Sequence, residues 1–139
     1  MTFNKHANFA VIGKPNNGKS TIISTLTFDD RIEIADEIGT TKKSAKYLYN
    51  YMGKNVSAYY DTPGFEKAKL ILIYIEEHKE TVTSINQILQ NFIDEYSNNT
   101  STKKDIEILK AIIQSDFLVF VINISENFNK NVIGYELEI

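Results

Sequence analysis

The stretch Gly13-Lys14-Pro15-Asn16-Asn17-Gly18-Lys19-Ser20 constrains this chain more than any other. It fits the spacing G-x-x-x-x-G-K-[ST], and its flanks decide what that spacing is worth. An apolar run, Phe9, Ala10, Val11 and Ile12, leads into Gly13 and has the pattern of a buried strand. Ile22, Ile23 and Leu26 follow at helical spacing and predict a helix from about Lys19 to Thr27. Strand, glycine turn and helix in that order build an anion site. The glycines let the backbone wrap a ligand with no Cβ in the way. Successive N–H groups then point into one concavity, and the helix start adds the positive end of its dipole. In such a loop Lys19 reaches the β- and γ-phosphates of a nucleotide, and the Ser20 hydroxyl binds Mg²⁺. A plain glycine turn with a surface lysine leaves the strand and helix on either side without a purpose. The pattern G-x-G-x-x-G is absent, which disfavours a nicotinamide or flavin fold.

The rest of the chain alternates strand and helix signals. Residues 28–43 have no clean period and read as an exposed loop. Tyr47, Tyr49 and Tyr51, then Val56, Ala58 and Tyr60, alternate as two strands of a hairpin, with Gly53, Lys54 and Asn55 as the turn. Leu70, Ile71, Tyr74 and Ile75 sit among helix formers and predict a helix. Ile85, Ile88, Leu89, Phe92 and Ile93 form an amphipathic stripe, which Asn98, Asn99 and Thr100 break. Ser101 is the expected cap of a further helix carrying Ile106, Leu109, Ile112 and Ile113. Phe117 to Ile122 predicts a central strand. This order suits an α/β layered domain.

A second half of the site stands at the end of the hairpin. Asp61-Thr62-Pro63-Gly64 is a good turn sequence by itself. Downstream of a phosphate loop, Asp61 becomes a strand-end carboxylate that holds Mg²⁺ through water, and Gly64 offers its N–H to a γ-phosphate. Gly39-Thr40-Thr41 lies in the irregular loop between the two motifs. There Thr41 can give its hydroxyl to Mg²⁺ and its N–H to the γ-phosphate, contacts that order a switch loop.

Composition narrows the alternatives. The 139 residues suit one core, and 42% apolar with 24% charged is ordinary for a globular protein. A formal charge of −3 argues against a nucleic-acid surface over the whole domain, and the Lys42, Lys43, Lys46 group reads as a solvated edge. No cysteine is present, so disulfides, thiol nucleophiles and thiolate zinc sites are excluded. His6 and His78 have no ligand spacing and read as surface residues. No run of about 18 apolar residues spans a bilayer, and the N-terminus lacks a signal-peptide core, so a cytoplasmic location is expected.

GKPNNGKS, GTTKK and DTPGF, in this order, resemble the Era- and TrmE-like branch of translation-factor-related P-loop GTPases. The resemblance implies a P-loop NTPase three-layer α/β/α sheet that binds GTP and GDP with Mg²⁺. It implies phosphate contacts from Asn16 through Thr21, and nucleotide contacts across Asp61, Thr62, Pro63 and Gly64. Ser20 and Thr41 would ligate Mg²⁺ with Asp61 behind them, while Lys19, Thr41 and Gly64 would act in hydrolysis. Asn16 stands where some relatives hold K⁺ beside the phosphates; its other reading is local shaping of the loop. Lys42 replaces the arginine usual after the two threonines.

DTPGFEKAKLILIYIEE, KKDIEILKAIIQSD and GYELEI are also similar to poorly characterised bacterial proteins with a GTPase domain and a helical C-terminal region. On that likeness, residues 1–139 form one GTPase domain, an N-terminal piece ending before the last strands. The guanine-reading Asn-Lys-x-Asp is missing. Asn129-Lys130-Asn131-Val132 has only its first two residues and follows the strand at 117–122 too soon. The expected sheet therefore has an under-covered edge, a candidate for self-association. Phe65 stands where many GTPases place a water-orienting glutamine, so slow intrinsic hydrolysis is expected. The reading that follows is a Mg²⁺-dependent GTPase switch with an unknown protein effector. The alternatives are a catalytically weak nucleotide-binding scaffold and an ATP-using protein on the same loop.

Overall fold

The computed structural model of the chain describes residues 6–14, 17–28 and 45–123. The apolar run before the glycine turn forms β1 (Ala7–Ile12), and α1 (Lys19–Thr27) follows with the bounds expected. The hairpin is β2 (Ala45–Tyr51) and β3 (Lys54–Asp61). Its turn falls at Met52 and Gly53, both at positive φ (50° and 76°), one step earlier than the expected Gly53–Asn55. Two successive positive φ values match the twist of the flanking strands, which is why the turn can be so short. Three helices come next, α2 (Ala68–His78), α3 (Ile85–Tyr96) and α4 (Lys103–Gln114), and then β4 (Phe117–Phe120).

The sheet runs in the order β2-β3-β1-β4. β1 is parallel to β3, with Val11 opposite Asp61, and parallel to β4, with Ile12 opposite Phe120. β2 pairs antiparallel with β3. Alternation along β1 sends neighbouring residues to opposite faces. Ala10 and Ile12 join the large core with residues of α2, α3 and α4, while Val11 packs with Ile23 of α1 and Val121. Helices therefore cover both faces, giving the three layers expected, and the buried half of β1, Ala10–Ile12, is apolar without a break.

A cluster of aromatic rings sits within the mainly aliphatic inter-helix core. Phe92 has no exposed surface, stacks on Tyr96 at 4.5 Å and meets the edge of Tyr74 at 5.2 Å. The Tyr74 hydroxyl donates to Glu95 at 3.0 Å, and burial together with that carboxylate pushes its pKa up to about 12.

Three expectations need correction. β4 is an edge strand among the described residues, because it pairs with β1 on one side only; Phe117 and Leu118 are exposed on it. Ser101 does not cap α4. Asn99 accepts from the Ser101 N–H within a short 3₁₀ turn (Thr100–Thr102), and α4 starts after it. His6 and His78 are half-buried rather than on the surface, and His78 stacks on Tyr74 at 4.1 Å. The helix expected around Leu70, Ile71, Tyr74 and Ile75 is α2, which starts at Ala68. No helix among the described residues is long and apolar enough to cross a membrane.

Candidate functional site

β1 delivers Gly13 to the rim of the sheet, where the backbone must turn close to another chain segment. Gly13 has φ 148°, and a Cβ there would lie 2.5 Å from the Val121 carbonyl oxygen. That same oxygen accepts from the Asn17 side-chain amide at 3.3 Å, and the Val121 N–H donates to Ile12 at 2.8 Å. The loop is thus fastened to the chain leaving β4. Gly18, at φ 87°, is the N-cap of α1 and gives no side-chain hydrogen bond to it. An N-cap without a side chain leaves the first N–H groups of the helix available to an anion.

Lys19 starts α1 but folds back over the loop. Its ammonium donates to the carbonyls of Gly13 at 2.9 Å and Lys14 at 2.8 Å, and the residue is buried. A cation held over a ring of backbone groups is placed to meet a polyanion. Lys14, Asn17, Gly18 and Ser20 line the same turn at intermediate exposure, while Thr21 is exposed on α1.

Parallel pairing of β1 with β3 brings the second motif to the same rim. The Ser20 hydroxyl donates to Asp61 Oδ2 at 2.5 Å. Thr62, fully buried, donates to the Val11 carbonyl at 2.7 Å and so rivets the end of β3 to β1. Burial raises the Asp61 pKa, against the opposing pull of the Ser20 hydrogen bond and the Lys19 charge. Its other oxygen, Oδ1, is buried with no hydrogen-bond partner. A hydroxyl beside a carboxylate with one oxygen unpartnered is the oxygen donor set that Mg²⁺ takes, so Ser20 and Asp61 fit the ion. Thr62, Pro63 and Gly64 are buried, and the Phe65 ring belongs to the large core rather than to the rim.

The structure therefore gathers Gly13, Lys14, Asn17, Gly18, Lys19, Ser20, Asp61, Thr62, Pro63 and Gly64 at one end of the sheet. Pro15, Asn16 and Thr41 lie outside the described residues, as do Gly39, Thr40, Lys42, Lys43 and the segment at Asn129. The described lysine of that basic group, Lys46, sits over the Tyr60 ring at 5.6 Å.

Two participants escape the sequence pattern. One is the Val121 carbonyl, a backbone atom with no residue-type signal. The other is Asp105, fully buried on α4, whose Oδ1 accepts the N–H groups of Glu66 and Lys67, each at 2.9 Å. Thr102-Lys103-Lys104-Asp105 looks like a capping box, and that pattern points at its own helix instead.

Known proteins resemble this chain along most of its length. Residues 8–137 match the family described as 50S ribosome-binding GTPase. The chain is 31% identical over 150 residues to the GTPase Der of Buchnera aphidicola, covering 99% of this chain and 31% of that protein. It is 30% identical to the tRNA modification GTPase MnmE of Bacillus anthracis (81% of this chain, 24% of the relative). It is also 30% identical to the GTPase Era of Fusobacterium nucleatum (76% and 29%). The chain thus spans about a third or less of the length of these curated relatives. Among solved structures, an S. thermophilus NFeoB mutant bound to GMPPNP matches with TM-score 0.52 at 16% identity, over 86% of this chain and 35% of that one, a likeness of fold.

Proposed function

We propose that this chain, which belongs to the P-loop GTPase family described as 50S ribosome-binding GTPase, binds GTP with Mg²⁺ and hydrolyses it slowly as a conformational switch. The observation that carries the reading is the meeting of Lys19, Ser20 and Asp61 at one rim, with Asp61 Oδ1 left unpartnered. Backbone N–H groups of the Gly13–Ser20 loop bind the phosphate oxygens, and the Lys19 ammonium neutralises the charge that grows between β- and γ-phosphate. Ser20 and Asp61, with Thr41, hold Mg²⁺. The ion supplies charge neutralisation on the phosphate oxygens. Gly64 donates its N–H to the γ-phosphate.

Phe65 is held in the core, so the attacking water must be oriented by other groups, and hydrolysis without a partner is slow. Asn16 is the residue that would bring K⁺ to the same phosphates. The readout is a change in affinity for a protein effector, in the cytoplasm.

The test is competition of GTP and ATP for a fluorescent guanine nucleotide, on the wild type and Lys19→Ala, followed by single-turnover phosphate release. GTP should compete and ATP should not, and Lys19→Ala should lose most of the affinity. Unchanged binding in that variant overturns the site. Preferential displacement by ATP overturns the nucleotide, and no phosphate release over hours leaves a binding module rather than an enzyme.

A further inference from the structure

Among the described residues, the phosphate site leaves one buried carboxylate unused. Asp105 stands in the first turn of α4 with no exposed surface, a costly place for a carboxylate. Its Oδ1 takes the N–H groups of Glu66 and Lys67 at 2.9 Å, while Oδ2 is buried without a partner. The neighbouring Lys104 ammonium pairs with the exposed Glu66 carboxylate, a contact to Glu66 alone. Burial raises the Asp105 pKa, and the two N–H groups oppose that shift.

A remote cap for α2 could be built more cheaply. Lys67 is the N-cap of α2 and gives no side-chain hydrogen bond, and a serine or threonine there would supply about 1 kcal/mol locally. What a local cap could not do is fix the segment against another helix. Every described residue from Asp61 to Lys67 except Pro63 and Gly64 has a named anchor. Asp61 is held by Ser20, Thr62 by Val11, Phe65 by the core, and Glu66 and Lys67 by Asp105. Gly64 is suspended between the β3 rivet and the α4 clamp.

We propose that Asp105 is a positioning residue for the triphosphate state. By holding the amides of Glu66 and Lys67, its carboxylate sets where the Gly64 N–H stands and so favours a nucleotide with a γ-phosphate over a diphosphate. The inference rests on the reading of Gly64 as a γ-phosphate contact. It assigns a role to α4, which touches no phosphate.

The test measures affinities of GDP and of a non-hydrolysable GTP analogue for the wild type, Asp105→Asn and Lys104→Ala, with active sites titrated. Asparagine keeps the size and one acceptor oxygen but loses the charge. Asp105→Asn should leave GDP affinity within about twofold and weaken the analogue roughly tenfold, the scale of one charge-assisted hydrogen bond. Lys104→Ala removes only an exposed pair and should leave the ratio of the two affinities unchanged. An unchanged ratio in Asp105→Asn overturns the proposal, and so does an equal loss for both nucleotides, since that is merely a structural role. If Asp105→Asn does not fold, amide exchange in the wild type decides. The Glu66 and Lys67 N–H groups should exchange more slowly with the analogue than with GDP, and equal rates overturn the proposal. A wild type that binds neither nucleotide overturns the phosphate site and this inference together, whereas binding that depends on Lys19 with an unaltered ratio overturns this inference alone.

Discussion

At the scale of single residues, the site works by crowding and by withheld satisfaction. Gly13 is the clearest case, since the closest obstacle is the Val121 backbone and cannot swing aside. Gly13→Ala adds a methyl at a backbone angle that side chains avoid and drives it into a carbonyl oxygen. We expect a loss of about 1–3 kcal/mol in denaturant unfolding together with loss of nucleotide binding. An alanine variant as stable as the wild type would show that the loop yields. The glycine pattern, the lysine and the serine were legible in the sequence because the chemistry of phosphate binding fixes their spacing. Asp105 was not, because its partners lie 38 and 39 residues away and only the packing of α4 on the sheet brings them together. Phe65 was legible as a departure from glutamine, but its burial in the core is a tertiary fact.

At the scale of elements, periodicity was a good guide where one face is apolar. The stripe of α3 and the alternation in β2 and β3 gave the element types, and α1 has the bounds its flanking residues imply. The misreadings fell at ends and edges. An apolar run such as Phe117–Phe120 says that a strand forms and is silent on how many neighbours it has. Asn99 accepts both the N–H and the O–H of Ser101, so the serine hydroxyl is spent on the 3₁₀ turn and not on α4. The stacked helices make their own prediction. Phe92 fills the space between Tyr74 and Tyr96, so Phe92→Ala should cost about 3–5 kcal/mol in urea or guanidinium unfolding. A cost below about 1 kcal/mol would mean that α2 and α3 collapse onto the gap.

At the scale of the whole molecule, ligand and fold are linked. A ligand that binds only the folded chain adds about 2.7 kcal/mol of stability at roughly 100 times its Kd. GTP with Mg²⁺ should therefore raise Tm by several degrees, and chelation with EDTA should remove most of that rise. In Asp61→Asn the carboxylate that would hold the ion is gone, so EDTA should make little further difference to the complex with GTP. A variant that remains fully EDTA-sensitive would place the ion elsewhere.

The Val121 carbonyl gives the molecule one more property. Because it leans on Gly13 and receives the Asn17 amide, the backbone that leaves the sheet after β4 and the rim of the phosphate loop are two sides of a single wall. Anything that drew the Asn17 amide away would strip that oxygen of a donor and loosen the strand exit and the loop together.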